Sequence, residues 1–158
     1  MWIVGPSWVA ESQAAGHWVD EEDHELHEFT GGAHEFGPKR SRCSPRGQPP
    51  LLNRHWIVFV GSFSAGGISQ VKLEELVRAA GAHVVKGSQN LNLSSLGAIQ
   101  YVLVCSDAIT AAEVGLVQKK WKQVPVMLSW ILDSIGGYTL LPKERYRITV
   151  EDVQKLRR

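Results

Sequence analysis

Phosphate chemistry would be sought first in the stretch GSFSAGGI, residues 61–68. Gly61 and Gly66 stand in G-x-x-x-x-G spacing between an apolar run and a helix-sized segment, the setting in which backbone N–H groups cradle a phosphate. A nucleotide loop then needs Lys followed by Ser or Thr to reach the outer phosphates and magnesium, and this chain has Gly67 and Ile68 instead. Nucleotide binding is therefore a remote alternative. The basic residues Lys39, Arg40, Arg42 and Arg46 offer a different chemistry. They read as a nuclear-import signal, a phosphate-binding patch, or charge that keeps a linker in solvent. Cys43 and Cys105 have no CxxC spacing and the six histidines no ligand pattern, so neither a metal nor a cofactor is implied. No Ser/His/Asp or Cys/His set is spaced for hydrolysis.

A formal charge of +1 over 158 residues provides no global field for nucleic acid or a membrane surface. The longest apolar stretches are broken by Gly, Pro or charge well short of a membrane span. A soluble intracellular chain is expected, with neither a membrane nor sequence-specific nucleic acid as partner.

The elements that must position these residues begin abruptly. Residues 1–26 read as a strand at Trp2, Ile3 and Val4 followed by a helix, with too little beside them to bury an apolar face. From 27 to 53 the chain is rich in Gly, Pro, Ser, Arg and Lys with no surviving period, which reads as a flexible basic linker. RHWIVFVGSF then gives a buried strand over 56–60. SQVKLEELVRAAG gives the best helix in the chain, with Ser69 to cap its start, Leu73, Leu76, Val77 and Ala80 on one face, and Gly81 as the left-handed carboxyl cap. AHVV, a central strand over 98–106, a weaker helix over 110–119, a strand over 124–127 and a closing helix from SWILDSI follow. Gly136 and Gly137 are expected to turn the chain out of that last helix. This β, α, β, β, α, β, α order specifies one compact α/β unit over 54–150, with 151–158 as a tail.

The opening and the close of the chain repeat one another. A shift of 122 positions lays Val4 on Val126, Ser7 on Ser129, Trp8 on Trp130, Ser12 on Ser134 and Glu22 on Glu144. The shared pattern is S-W-[VI]-x-[ED]-S after a short strand. Trp8 and Trp130 read as core residues, each contributing about 2–3 kcal/mol of burial.

A strand followed by this tryptophan helix resembles the end of a BRCT repeat, and L-x-x-L-V-x-x-A-G-A across the first helix with its Gly81 turn agrees. The resemblance implies a four-stranded parallel sheet flanked by three helices over 54–150, preceded by a partial first repeat over 1–26. GPKRSR ahead of the strand ending in G-x-F makes the likeness closest to tandem BRCT repeats. On that reading the chain starts inside repeat one.

What the resemblance implies for function is docking of phosphorylated DNA-repair proteins, of helicase or scaffold type, in the nucleus. It implies no enzyme activity, although a full-length family protein can carry a RING-type ubiquitin ligase part that has no counterpart in these residues. The first repeat of the family holds phosphoserine with a serine, a glycine amide and a lysine, and a groove between repeats takes an aromatic side chain three residues on. At the matching positions of the second repeat stand Val60 and Val114, and the first repeat's pocket falls before Met1. Leu132 carries over as an apolar groove residue. Leu128 replaces an arginine, and the stretch holding Ala65 and Gly66 replaces an Asn-Met pair. Lys39, Arg40 and Arg42 are the candidate import patch. The alternative is a BRCT surface that docks without phosphate or pairs with another BRCT repeat.

Overall fold

The computed structural model describes residues 2–26, 37–63, 68–85, 100–106 and 108–156. They fall into two compact units, Met1–Gln48 with Asp133–Leu140, and Pro49–Leu132 with Leu141–Arg158.

The second unit is built on a parallel sheet. Strand β1 (His55–Val60) is apolar nearly throughout, as a strand covered on both faces must be, and its Ile57 and Val58 are fully buried. It pairs with β2 (His83–Val84) on one side and along its whole length with β3 (Gln100–Cys105) on the other. β4 (Val126–Met127) adds to β3 only at Val104 and Cys105, giving the order β2-β1-β3-β4. Parallel neighbours demand crossovers. These are supplied by α3 (Gln70–Ala79) and α4 (Ala111–Trp121), and α5 (Ser129–Gly136) follows β4, its residues divided between the two units after Leu132.

Local chemistry sets each helix. Ser69 Oγ accepts from Lys72 N–H to cap α3, which buries Leu73 and Val77, four residues apart on one face. The helix ends because Gly81 sits at φ 91°, with its N–H on Arg78 C=O and that of Ala82 on Val77 C=O. A Cβ at Gly81 would also run into the Pro50 ring. α4 starts on a full capping box: Thr110 Oγ1 accepts from Glu113 N–H, and Glu113 reaches back to Thr110 N–H at 2.8 Å. It continues through Gly115 to Trp121.

The core lies on both faces of the sheet. Val58, Val60, Leu103 and Val117 form one cluster, and Cys105, Ile109, Val114, Ile148 and Val153 form another. The last of these belongs to α6 (Val150–Leu156), a helix where a tail after residue 150 is expected from sequence. Its signal is Thr149-x-x-Asp152, a reciprocal cap in which Asp152 Oδ2 accepts from Thr149 N–H at 2.9 Å. Both hydrogen bonds from Thr149 hold the Asp152 carboxyl below its ordinary range.

The first unit contains α1 (Pro6–Ala15) and α2 (Gly37–Cys43). α2 lies inside the stretch read as a flexible linker, and Gly37 at its start approaches a backbone closely. A Cβ on Gly37 would strike the Gly136 carbonyl, so Gly37 and Pro38 are buried. At the end of α5 the left-handed residue is Tyr138 (φ 43°), not the glycines expected to make that turn. Gly137 N–H still bonds Asp133 C=O in helical fashion, and Tyr138 and Thr139 close on Ile135 and Ser134.

Candidate functional site

The repeated pattern is repeated wiring. Trp8 Nε1 donates to Val19 C=O at 3.0 Å and Trp130 Nε1 to Leu141 C=O at 2.8 Å, both eleven residues on. Val4 bridges Glu25 antiparallel as Val126 bridges Arg147. Leu26 N–H bonds Ile3 C=O at 2.8 Å as Ile148 N–H bonds Pro125 C=O at 3.0 Å. Every one of these pairs is related by the same 122-residue shift. The two tryptophans differ in cover, since Trp130 is fully buried whereas Trp8 is half-buried and stacks on Trp18 at 4.8 Å.

Among the groove residues read from sequence, Leu128 and Leu132 come together. Leu132 N–H bonds Leu128 C=O at 3.2 Å at the start of α5, so the two side chains leave the same helical face, and both are half-buried. Ala65 and Gly66 lie outside the described residues. So does most of the glycine loop, but the helix it precedes is capped by Ser69 itself.

The corner where a BRCT phosphate pocket would form in this unit has different chemistry. Val60 and Val114 are buried apolar side chains. Glu113, which sequence reading did not single out, brings its Oε1 to 3.9 Å from the position of a Cβ on Gly61. A carboxylate already committed to a cap therefore lies beside Gly61, where its charge disfavours an anion. Its signal in the sequence is the capping-box spacing Thr110-x-x-Glu113.

Two members of the basic run, Arg40 and Arg42, are tied into the first unit's own packing. Arg40 Nε donates to Gly137 C=O at 2.7 Å. Arg42 forks onto the buried Glu25 carboxylate with two bonds of 2.9 Å, and its guanidinium lies 3.5 Å over the Trp2 ring. The Glu25 hydrogen bond is the largest cause of a raised Arg42 pKa. Lys39 is exposed. Among the described residues no group of His, Cys, Asp and Glu could hold a metal ion, and no helix is long and apolar enough to cross a membrane.

Comparison with known proteins points the same way as the wiring. The chain is 25% identical over 162 residues to the BRCA1-associated RING domain protein 1 of Arabidopsis thaliana, covering 89% of this chain and 22% of that protein. It is 24% identical over 155 residues to the breast cancer type 1 susceptibility protein homolog of Caenorhabditis elegans, covering 92% of this chain and 24% of that one. These similarities support a BRCT-domain protein. The chain spans less than a quarter of either relative's length. The solution structure of the BRCT domain from human DNA repair protein REV1 is similar at TM-score 0.46 and 15% identity, covering 64% of this chain and 90% of that one. No family model matches.

Proposed function

We propose that this chain is a protein-docking module of the nuclear DNA-damage response, with phosphorylated repair proteins of helicase or scaffold type as the partners its family resemblance implies for a complete tandem of repeats. The observation that carries the reading is the doubled wiring of the tryptophan motif, which is what two successive BRCT repeats would leave in one chain. Leu132, with Leu128 beside it, is the proposed contact for an aromatic side chain of the partner. The role is binding, not catalysis.

A second reading, docking that ignores phosphate, is favoured by the apolar Val60 and Val114 and by Glu113 in the corner beside Gly61. One titration separates the two. A fluorescent pSer-x-x-Phe peptide, its unphosphorylated twin and its Phe→Ala version are titrated against the chain and against Leu132→Lys. Phosphoserine docking requires a phosphate preference that disappears with Leu132→Lys. Equal affinity for the twins, still lost with Phe→Ala or Leu132→Lys, supports phosphate-independent docking. Binding insensitive to both changes overturns the Leu132 assignment.

A further inference from the structure

β4 is only two residues long, and this leaves β3 without a strand neighbour on that side at Tyr101, Val102 and Leu103 among the described residues. A cleft of about 400 Å³ opens there, at the end of the sheet away from Gly61. Its rim carries Lys122, Lys143 and Arg147, which come from two separate segments, the turn after α4 and the 3-10 turn Lys143–Tyr146 with the residue after it. Glu144 is the one carboxylate paired with them in the described residues, at 3.7 Å from Arg147 and largely exposed. The cluster thus keeps an excess of positive charge.

Two features favour an anion beside these cations, of which Lys143 also lies 5.4 Å from the Trp130 ring centroid. Lys143 is half-buried, and burial is the largest cause of its lowered pKa; Glu144 pulls it up and Arg147 pushes it further down. Bringing like charges together costs free energy that an anion would return. Tyr101, which lines the same cleft, has a buried hydroxyl with no hydrogen-bond partner. A buried donor left unmade is costly, and a ligand oxygen would satisfy it.

We infer that this cleft is an anion site that takes a phosphoryl group, either as free phosphate or on a phosphorylated protein side chain. A dianion matches the excess charge, and tetrahedral oxygens can meet cations arriving from two segments and a hydroxyl at once. The site rests on the second unit's geometry alone and does not depend on the docking role proposed for Leu132.

Two-dimensional amide NMR of the full chain tests it, with potassium phosphate titrated against potassium chloride at matched ionic strength. Phosphate is expected to produce saturable shifts at residues 101–103, 122–124 and 143–147 that chloride does not. The double variant Lys122→Gln, Arg147→Gln removes exposed side chains with little packing and should keep the wild-type melt while weakening phosphate at least about tenfold, the loss of one charge-assisted hydrogen bond. Tyr101→Phe should weaken phosphate with no loss of stability. Leu132→Lys should leave the titration unchanged, which separates this site from the peptide groove. A phosphoserine peptide lacking any aromatic residue distinguishes the source: tighter binding than phosphate assigns a protein ligand, weaker binding free phosphate. Equal shifts with chloride, or unaltered phosphate affinity in the folded double variant, overturns the assignment.

Discussion

At the scale of single residues, the second unit depends most on Trp130. It is fully buried, its Nε1 is spent on Leu141 C=O, and the Lys143 ammonium lies 5.4 Å from its ring centroid. Trp130→Ala is expected to cost about 3–5 kcal/mol through lost burial and the cavity it leaves. Trp8→Ala, made at the half-buried equivalent position, should cost less. Urea melts of the two variants check the order, and a larger loss at Trp8 would contradict the burial argument. His55 makes a pH-dependent contribution beside Trp130, its ring 6.1 Å away. Burial first, and the Lys143 charge in addition, hold its pKa below the usual 6.5, against hydrogen bonds to Asn53 and Leu52 that raise it. The unfolded chain then binds the proton more readily than the folded one. Stability from this group is complete above the unfolded value and declines as pH falls from there through the folded value. Melts from pH 7.5 downward should show that decline, and His55→Gln should flatten it; an unchanged slope in the variant would assign the decline to other groups.

At the scale of elements, the helices are specified by their ends. Thr110→Ala removes one half of the α4 capping box, leaving Glu113 N–H without its side-chain acceptor while the backbone bond to the Glu113 carboxylate stays, for an expected loss of about 1 kcal/mol. Gly81→Ala forces a Cβ into the left-handed region, at about 1–2 kcal/mol, and onto Pro50 as well. It should therefore be the more damaging of the two in thermal melts; the reverse order would mean that the turn relaxes at little cost. These ends also explain what was legible in sequence. β1, α3 and the closing helix could be read because apolar period, cap and stop signal coincide within a dozen residues. α2 could not, because the close approach at its start is between a glycine and a carbonyl about a hundred residues away in sequence, and no local period records that. α6 was partly legible, since Thr149-x-x-Asp152 is a cap signal, but Val153 acquires its buried setting from a cluster with Cys105, Ile109, Val114 and Ile148. The cationic cleft was illegible for a related reason. Lys122, Lys143 and Arg147 are unremarkable in the sequence and become a cluster only because β4 stops after two residues.

At the scale of the whole molecule, apolar burial is divided unequally. Among the described residues, the large buried apolar side chains all belong to the second unit, while the buried polar Ser12 and Glu25 belong to the first. The first unit is held instead by hydrogen bonds and by the Arg42–Glu25 fork, and it exposes Val9 and Trp18, the latter at 74%. Interactions of that kind give little free energy per residue compared with a packed core. Opening of the first unit should therefore require far less free energy than global unfolding. In native-state amide exchange at low protein concentration, the α1 amides should exchange through such openings with little denaturant dependence. Those of β1 and β3 should exchange only with global unfolding. Arg42→Ala leaves Glu25 buried without its cation, so it should accelerate exchange across α1 and at Leu26, whose N–H bonds Ile3, while β1 and β3 amides keep their protection. Equal protection in α1 and β3 of a monomeric sample would show that the exposed tryptophan face is covered after all. An Arg42→Ala effect that spread undiminished into the sheet would show that the chain unfolds as a single cooperative body.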